Sequence, residues 1–438
     1  MRRLGVFAVA LVATLAFAST ALAKQPYPLN YNKVDFNTGT PSGVVYAGGA
    51  LTLAPPLSTT EAPFYTDPFA ALLVLDQSAD GSGTYEYGTW TSPEYSLSFP
   101  FTQLVSSWNS NTPLGTWIQS EVQPRFEDGH LGKWYILGRW SYNDIGNFHR
   151  TSVGGQGNKD GFVAIDTFIA GKQAAVAYRL RLTLYRREGS DAMPTVSRYS
   201  AIASDLRNQK NTFPSAVSIA GGRDLLVPRY SQEIHHNHWP EFDNGGEAWC
   251  SPTSTAMVVA YWDNGSGAYA PQPGELTWVD DGIPASDRPD QDPWVDYTAR
   301  YVYDYHYQGA GNWPFNTAYA SERGLVGDVT QLHNLAEAEP FIKTYGIPLI
   351  TSIAWNSNKL TDADIKSTNG HLMVIRGFMP NGDVIANDPA SPTDGAVYHI
   401  YDREEFERAW IGASGGIVYV IRPVGWATPD LTQNNWRG

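Results

Sequence analysis

Alternating apolar and polar positions dominate the first half of the chain, and longer apolar runs dominate the second. Tyr178, Leu180, Leu182 and Leu184 alternate with Arg179, Arg181, Thr183 and Tyr185, the period of a strand with one buried and one wet face. Shorter runs of strand character occur at 71–75, 134–140 and 161–166, separated by turn-forming stretches at 79–83 and 154–161. No helix-length periodic segment interrupts them. Residues 63–189 are therefore expected to form an all-β sandwich or jelly roll. Residues 24–62 are rich in Pro, Gly, Thr and Ser and read as an extended arm, and residues 190–223, with Pro194, Pro214 and Gly221-Gly222, read as a linker.

From residue 224 the pattern changes. Ala256–Trp262 continues in residues suited to a buried helix, and Pro252 fits its first turn, where a missing N–H costs nothing. Residues 338–346 read as a short helix with a glycine stop, and strands are expected at 348–353, 371–378, 384–389 and 416–421. Residues 224–423 are thus expected to be an α+β domain, followed by a tail at 424–438.

The chain opens with Arg2-Arg3, an apolar run from Leu4 to about Phe17, and Ala21-Leu22-Ala23, which reads as a signal peptide (1–23) cleaved after Ala23. No later stretch approaches the roughly 18 apolar residues of a membrane span. A secreted, extracellular or periplasmic protein is expected. The formal charge of −14 gives no electrostatic reason to bind nucleic acid or an anionic membrane. One cysteine in 438 residues forms no internal disulfide.

That cysteine, Cys250, falls at the expected start of a helix, where backbone N–H groups and the dipole favour a thiolate. Taken alone, a single cysteine reads as a small buried hydrophobe. Acyl transfer on sulfur needs three further groups. Gln232, 18 residues earlier, offers an amide donor for a developing oxyanion. His371, 121 residues later at the head of an apolar strand, offers a general base. Across the turn Pro380-Asn381-Gly382-Asp383, the returning strand carries Asp388 as an orienter of the imidazole, with Asn387 as the competing candidate.

These residues, in the order Gln, Cys, His, Asp, resemble the papain-like cysteine peptidase superfamily, and more narrowly its bacterial branch of double-glycine leader peptidases (bacteriocin-processing peptidases). The matching motifs are Val227-Pro228…Gln232, Trp249-Cys250-Ser251-Pro252-Thr253-Ser254-Thr255-Ala256-Met257, Gly370-His371-Leu372-Met373-Val374 and Asn387-Asp388-Pro389. The resemblance covers residues 224–423 and implies a papain-like domain there. It implies Cys250 as nucleophile, His371 as general base and acid, Asp388 as orienter and Gln232 as oxyanion donor, acting without a cofactor on a peptide or protein substrate. Ser251 stands where that family commonly has glycine, which puts the width of the approach to sulfur in doubt. No phosphate-binding glycine loop accompanies these motifs, so a free secreted thiol hydrolase is the expectation.

Two other readings remain open: an amidase or transpeptidase acting on cell-wall peptides, and a non-catalytic protein that binds a surface or polysaccharide. Tyr85, Tyr87, Trp90, Trp108, Trp117 and Trp140 are candidates for an aromatic platform in such a binder, or else for sandwich core. The aromatic stretch from Trp294 to Tyr319, with the loop Gly309–Asn312, is expected to supply core and a wall of the substrate cleft. His235-His236-Asn237-His238 invites a metal, but adjacent histidines on an extended segment face opposite ways and no carboxylate or cysteine stands at ligand spacing. The expectation is a solvated loop near the cleft, without a metal.

Overall fold

The computed structural model describes residues 27–62, 83–143, 148–207, 211–356, 359–431 and 435–438. The expected strand at 71–75 and the leader lie outside these residues.

The N-terminal half is mostly β-sheet. Two seven-stranded sheets form it, one with the order 161–164, 167–170, 103–111, 195–204, 50–53, 44–47 and with 29–33 added beside 195–204, and the other with the order 135–140, 116–126, 175–187, 83–91, 40–42 and with 58–62 added beside 83–91 and 95–101 beside 175–187. They face each other across a core that includes Trp90, Leu104, Val122, Leu180 and Leu182. Polar links cross it as well: Ser106 Oγ lies 2.8 Å from Ser120 Oγ, which lies 2.7 Å from the Tyr199 hydroxyl.

Two segments behave differently from their expected roles as arm and linker. Leu29–Lys33 pairs antiparallel with Thr195–Ser204, and Leu29 and Tyr31 are buried at alternate positions. The strand 195–204 sits in the middle of its sheet and carries a bulge between Val196 and Arg198. An extra residue there shifts the inward face by one position, which erases the alternation that would have announced the strand. Nor does the chain's end hang free, because Trp436 is fully buried against Tyr31 and Phe341.

Five of the six platform aromatics are core, and the sixth, Tyr87, is half-buried beside Tyr185. Tyr85, Trp90, Trp108, Trp117 and Trp140 have no exposed surface. Trp117 stacks on Tyr185 at 3.6 Å between centroids and on Phe148 at 4.4 Å, so the face of strand 175–187 expected to be wet is partly covered. Trp108 and Trp140 pack on Phe315 of the C-terminal half, with centroids 6.2 and 5.3 Å away.

The C-terminal half mixes helices and a seven-stranded antiparallel sheet of order 325–331, 417–423, 349–355, 368–378, 384–387, 398–401, with Arg223–Asp224 added beside 368–378. Helix α1 (Cys250–Asp263) is buried almost throughout its first ten residues. Its hydroxyls reach partners inside the fold: Ser254 donates to the Leu372 carbonyl at 3.1 Å and Thr255 to Asn316 Oδ1 at 3.0 Å. That explains how Ser and Thr sit in an interior helix, since buried hydroxyls are stable only when paired. Helices α2 (Pro293–Val302) and α3 (Trp313–Glu322) flank it, each with Pro in the first turn.

The halves share one continuous apolar core. Asp328, fully buried, accepts from Tyr31 at 2.8 Å, Ser200 at 3.0 Å and Arg198 at 2.7 Å of the sandwich, and from Arg422 at 3.1 Å of its own half. Burial alone would raise its carboxyl, but the two guanidinium groups outweigh this and lower it to about 2. Asn109 extends the seam by bonding both backbone groups of Gly327, at 2.6 and 3.1 Å. Among the described residues, no helix is long and apolar enough to cross a membrane.

Candidate active site

Cys250 opens α1 and is half-buried at the edge of a cleft of about 680 Å³. His371 lies on the strand 368–378, against which α1 packs, and shares the cleft wall with it. His371 Nε2 is 2.8 Å from Asp388 Oδ1, and Cys250, in the same cleft wall, is near enough to the ring to raise its pKa. With Nε2 taken by the carboxylate, Nδ1 is the nitrogen left for sulfur. Trp355 covers one side of the imidazole, its ring 5.9 Å away and nearly perpendicular.

Asp388 is fully buried and satisfied. Oδ1 also accepts from the Ala390 N–H at 3.0 Å, and Oδ2 accepts from the Tyr401 hydroxyl at 2.9 Å. Burial raises its carboxyl, but His371 and these donors prevail and hold it below the usual carboxylate range. The same pair acts on His371. Burial disfavours the charged ring, yet the Asp388 carboxylate and nearby Cys250 outweigh that and raise it to about 10.

Between the two acceptors left open by the sequence, the structure separates Asp388 from Asn387. Asn387 donates to the Pro228 carbonyl at 2.8 Å and accepts from Arg376 at 3.2 Å, pointing away from His371 toward the segment before Gln232. The turn at 380–383 forms as expected, with Gly382 at φ +95°.

Gln232 lies in the wall of the same cleft, just before a 3₁₀ turn at Glu233–His235. Its N–H donates to the Pro389 carbonyl at 2.8 Å, which ties it to the segment following Asp388. Its side-chain amide donates to the Glu247 carbonyl at 2.8 Å and reaches Glu233 Oε1 at 3.2 Å. Ser251 does not narrow the cleft. It is fully buried, with its hydroxyl 3.1 Å from that of Tyr419.

The opposite wall belongs to the sandwich. The hairpin 161–170 brings Ile165, Asp166 and Thr167 to the cleft, and Asp166 accepts from the Trp313 N–H at the start of α3 at 2.8 Å. The aromatic stretch divides as expected: Tyr297, Tyr303 and Tyr305 are core, whereas half-exposed Tyr307 and Gly311 line the cleft. Sequence reasoning missed Asp166 and Tyr401, which lie in separate strands or turns without a motif. Acidic groups (Asp166, Glu233, Asp243, Glu247) line this cleft, with no Lys or Arg in its lining among the described residues. A larger cavity of about 1040 Å³ lies elsewhere along α1 and has neither Cys250 nor His371 in its wall.

The histidine tract departs from expectation. His235 and His238 are buried, not solvated, because a turn closed by the His238 N–H on the His235 carbonyl at 3.0 Å, just past the 3₁₀ turn, brings residues three apart together. Two carboxylates distant in sequence, Asp290 and Asp296, meet them there.

Comparison with known proteins puts this geometry in context. Residues 225–418 match the model of the Peptidase_C39 like family, and residues 30–204 match that of the Peptidase C39 N-terminal domain. The chain belongs to a family related to the C39 cysteine peptidases. Curated proteins gave no match. Among solved structures, the chain is similar to a carbohydrate-binding module of the β-sandwich superfamily (9% identity over 38% of this chain and 55% of that one, TM-score 0.17). It is also similar to TmCBM61 in complex with β-1,4-galactotriose (9% identity, 40% and 87%, TM-score 0.17). A third is the Clostridium thermocellum xylanase 10B modules with xylohexaose (10% identity, 49% and 33%, TM-score 0.18). The chain thus spans about half the length of the first of these. Likenesses this weak carry no argument about fold, ligand or activity.

Proposed function

We propose that the protein is an exported cysteine peptidase with a papain-like catalytic half, hydrolysing peptide bonds through an acyl-enzyme on Cys250. The observation that carries this reading is His371, which contacts Cys250 on one side and a fully satisfied, buried carboxylate, Asp388, on the other. The family relation to C39 peptidases supports it, and the leader-like first 23 residues support export.

In this mechanism the imidazolium of His371 stabilises the Cys250 thiolate, which attacks the scissile carbonyl carbon. Negative charge moves to the carbonyl oxygen, where the Cys250 backbone N–H at the start of α1 and the Gln232 amide donate to it. For this, one Gln232 N–H leaves Glu233, the longer of its two bonds. His371 then protonates the leaving amine, and the C–N bond breaks to leave a thioester. The now neutral ring takes a proton from water, which attacks the thioester and releases the carboxylic acid and the thiolate. Asp388 keeps the ring in register and favours its charged form throughout.

The acidic cleft favours peptides that are neutral or carry Lys or Arg. The test is digestion of a proteome-derived peptide library, read by mass spectrometry with the protein and with Cys250→Ala. New N-termini produced only by the former support the reading. Identical peptide patterns for the two proteins contradict it.

A further inference from the structure

The turn next to Gln232 buries two imidazoles that the peptidase reading does not use. His235 has no exposed surface and His238 has 1%. Facing them, Asp296 on α2 is fully buried, and the Asp290 side chain, in the loop before α2, is 2% exposed. One ligand-type atom from each of the four residues lies within 4.8 Å of all the others. His235 Nδ1 is 3.3 Å from His238 Nδ1, 2.7 Å from Asp296 Oδ2 and 3.7 Å from Asp290 Oδ1. His238 Nδ1 is 3.2 Å from Asp296 Oδ1 and 4.0 Å from Asp290 Oδ2.

Hydrogen bonding accounts for only part of this cluster, the 3.2 Å bond between His238 Nδ1 and Asp296 Oδ1. Two Nδ1 atoms that face each other share one proton at most. Asp296 Oδ2 comes within 2.7 Å of an imidazole nitrogen without the alignment of a hydrogen bond, and Asp290 Oδ2 has no hydrogen-bond partner. Buried polar atoms without partners are rare, and an ion is one of the few explanations for them. The geometry agrees. Four ligands at about 2.0–2.1 Å around a tetrahedral ion lie about 3.3 Å from one another. The Nδ1–Nδ1 separation has that value, the nearest imidazole–carboxylate approaches, through both oxygens of each Asp, run from 2.7 to 4.0 Å, and one ligand atom per residue lies within 4.8 Å of the others.

We propose that His235 Nδ1, His238 Nδ1, Asp290 and Asp296 bind one divalent first-row transition ion of the zinc class. Two carboxylates balance its charge, and neutral imidazole nitrogens suit zinc-like ions better than calcium or magnesium, which take oxygen ligands. Four buried protein ligands leave no open coordination position, so the ion is structural rather than catalytic. Asp287 Oδ2, 3.6 Å from His238 Nε2, is placed to orient that ring from outside.

The position gives the ion a role. The Gln232 carbonyl accepts from the His235 N–H at 3.1 Å, and the His235 ring is 6.2 Å from that of Trp249, the residue before Cys250. An ion here clamps the turn beside Gln232 and the approach to Cys250 onto α2. The site rests on these distances alone and does not depend on the peptidase reading.

The test uses the full chain purified without chelator or metal-affinity resin. Elemental analysis is expected to find one zinc-class ion per chain, or the stripped protein is expected to bind one equivalent of added Zn²⁺ with saturation. Removing the ion should lower the melting temperature by about 5 °C, and Zn²⁺ should restore it. Co²⁺ in its place should give the visible absorption of a low-symmetry nitrogen and oxygen site, a readout that needs no variant. His238→Asn, provided its circular dichroism is native, should bind Zn²⁺ at least about 100-fold more weakly. No stoichiometric metal together with no saturable Zn²⁺ or Co²⁺ binding would overturn the proposal, as would unchanged affinity in His238→Asn.

Discussion

His371 is raised to about 10 because the Asp388 carboxylate and the contact with Cys250 outweigh its burial. This has a stability consequence with a definite sign. A group whose folded value lies above its unfolded value of about 6.5 contributes fully below about pH 6.5 and loses that contribution as pH rises through about 10. The urea midpoint of the protein should therefore exceed that of His371→Gln most at pH 6, and the gap should narrow steadily toward pH 10. Asp388→Asn should leave the fold nearly intact and lower kcat/KM at least about 100-fold, because it presents the wrong partner to the ring nitrogen. A loss below threefold would remove Asp388 from the mechanism. Residue types and order made Cys250, His371 and Gln232 legible as candidates. The choice between Asp388 and Asn387 was not, because a bulge between Ile375 and Gly377 sets which residue of the returning strand meets His371. A bulge leaves no mark in spacing.

Among the elements, α1 and the strand 368–378 were readable because a buried helix and a buried strand both carry long apolar runs. The strands at 29–33 and 195–204 were not, the first for its polar alternate residues and the second for its bulge. The aromatics of the sandwich were ambiguous for another reason: a tryptophan on a strand looks the same whether water or a neighbouring helix covers it. Here α3 covers two of them through Phe315, which is fully buried against Trp108 and Trp140. Phe315→Ala should cost about 3–5 kcal/mol, read from the shift in denaturant midpoint. A shift worth less than about 1 kcal/mol would mean that α3 is not a principal link between the halves.

At the scale of the molecule, one apolar core runs through both halves, and buried Asp328 gathers Arg198, Arg422, Tyr31 and Ser200 at the seam. Domain-wise patterning of a sequence cannot reveal such a seam, because the partners of Asp328 lie 94 to 297 residues from it. Asp328→Asn should destabilise by about 3–5 kcal/mol, since it leaves buried guanidinium groups without their charge partner. Both halves should then melt together at a lower temperature, and separate transitions would contradict a shared core. The native carboxyl, lowered to about 2, contributes stability above about pH 3.8 that is lost as pH falls through about 2. Among the described residues, the cleft between the halves has acidic residues and no cationic residue other than His371 in its lining. Cleavage of Lys- or Arg-rich peptides should therefore lose kcat/KM as ionic strength rises, while neutral peptides should show little change.

The central claim is that His371 activates Cys250, and it is open to test without any knowledge of the substrate. Because Cys250 is the only cysteine in the chain, the rate of its alkylation by iodoacetamide at pH 6 reports on that site alone. The account predicts fast modification that slows at least about tenfold in His371→Ala. Equal rates in the two proteins would mean that the imidazole does not act on the sulfur, and would contradict it.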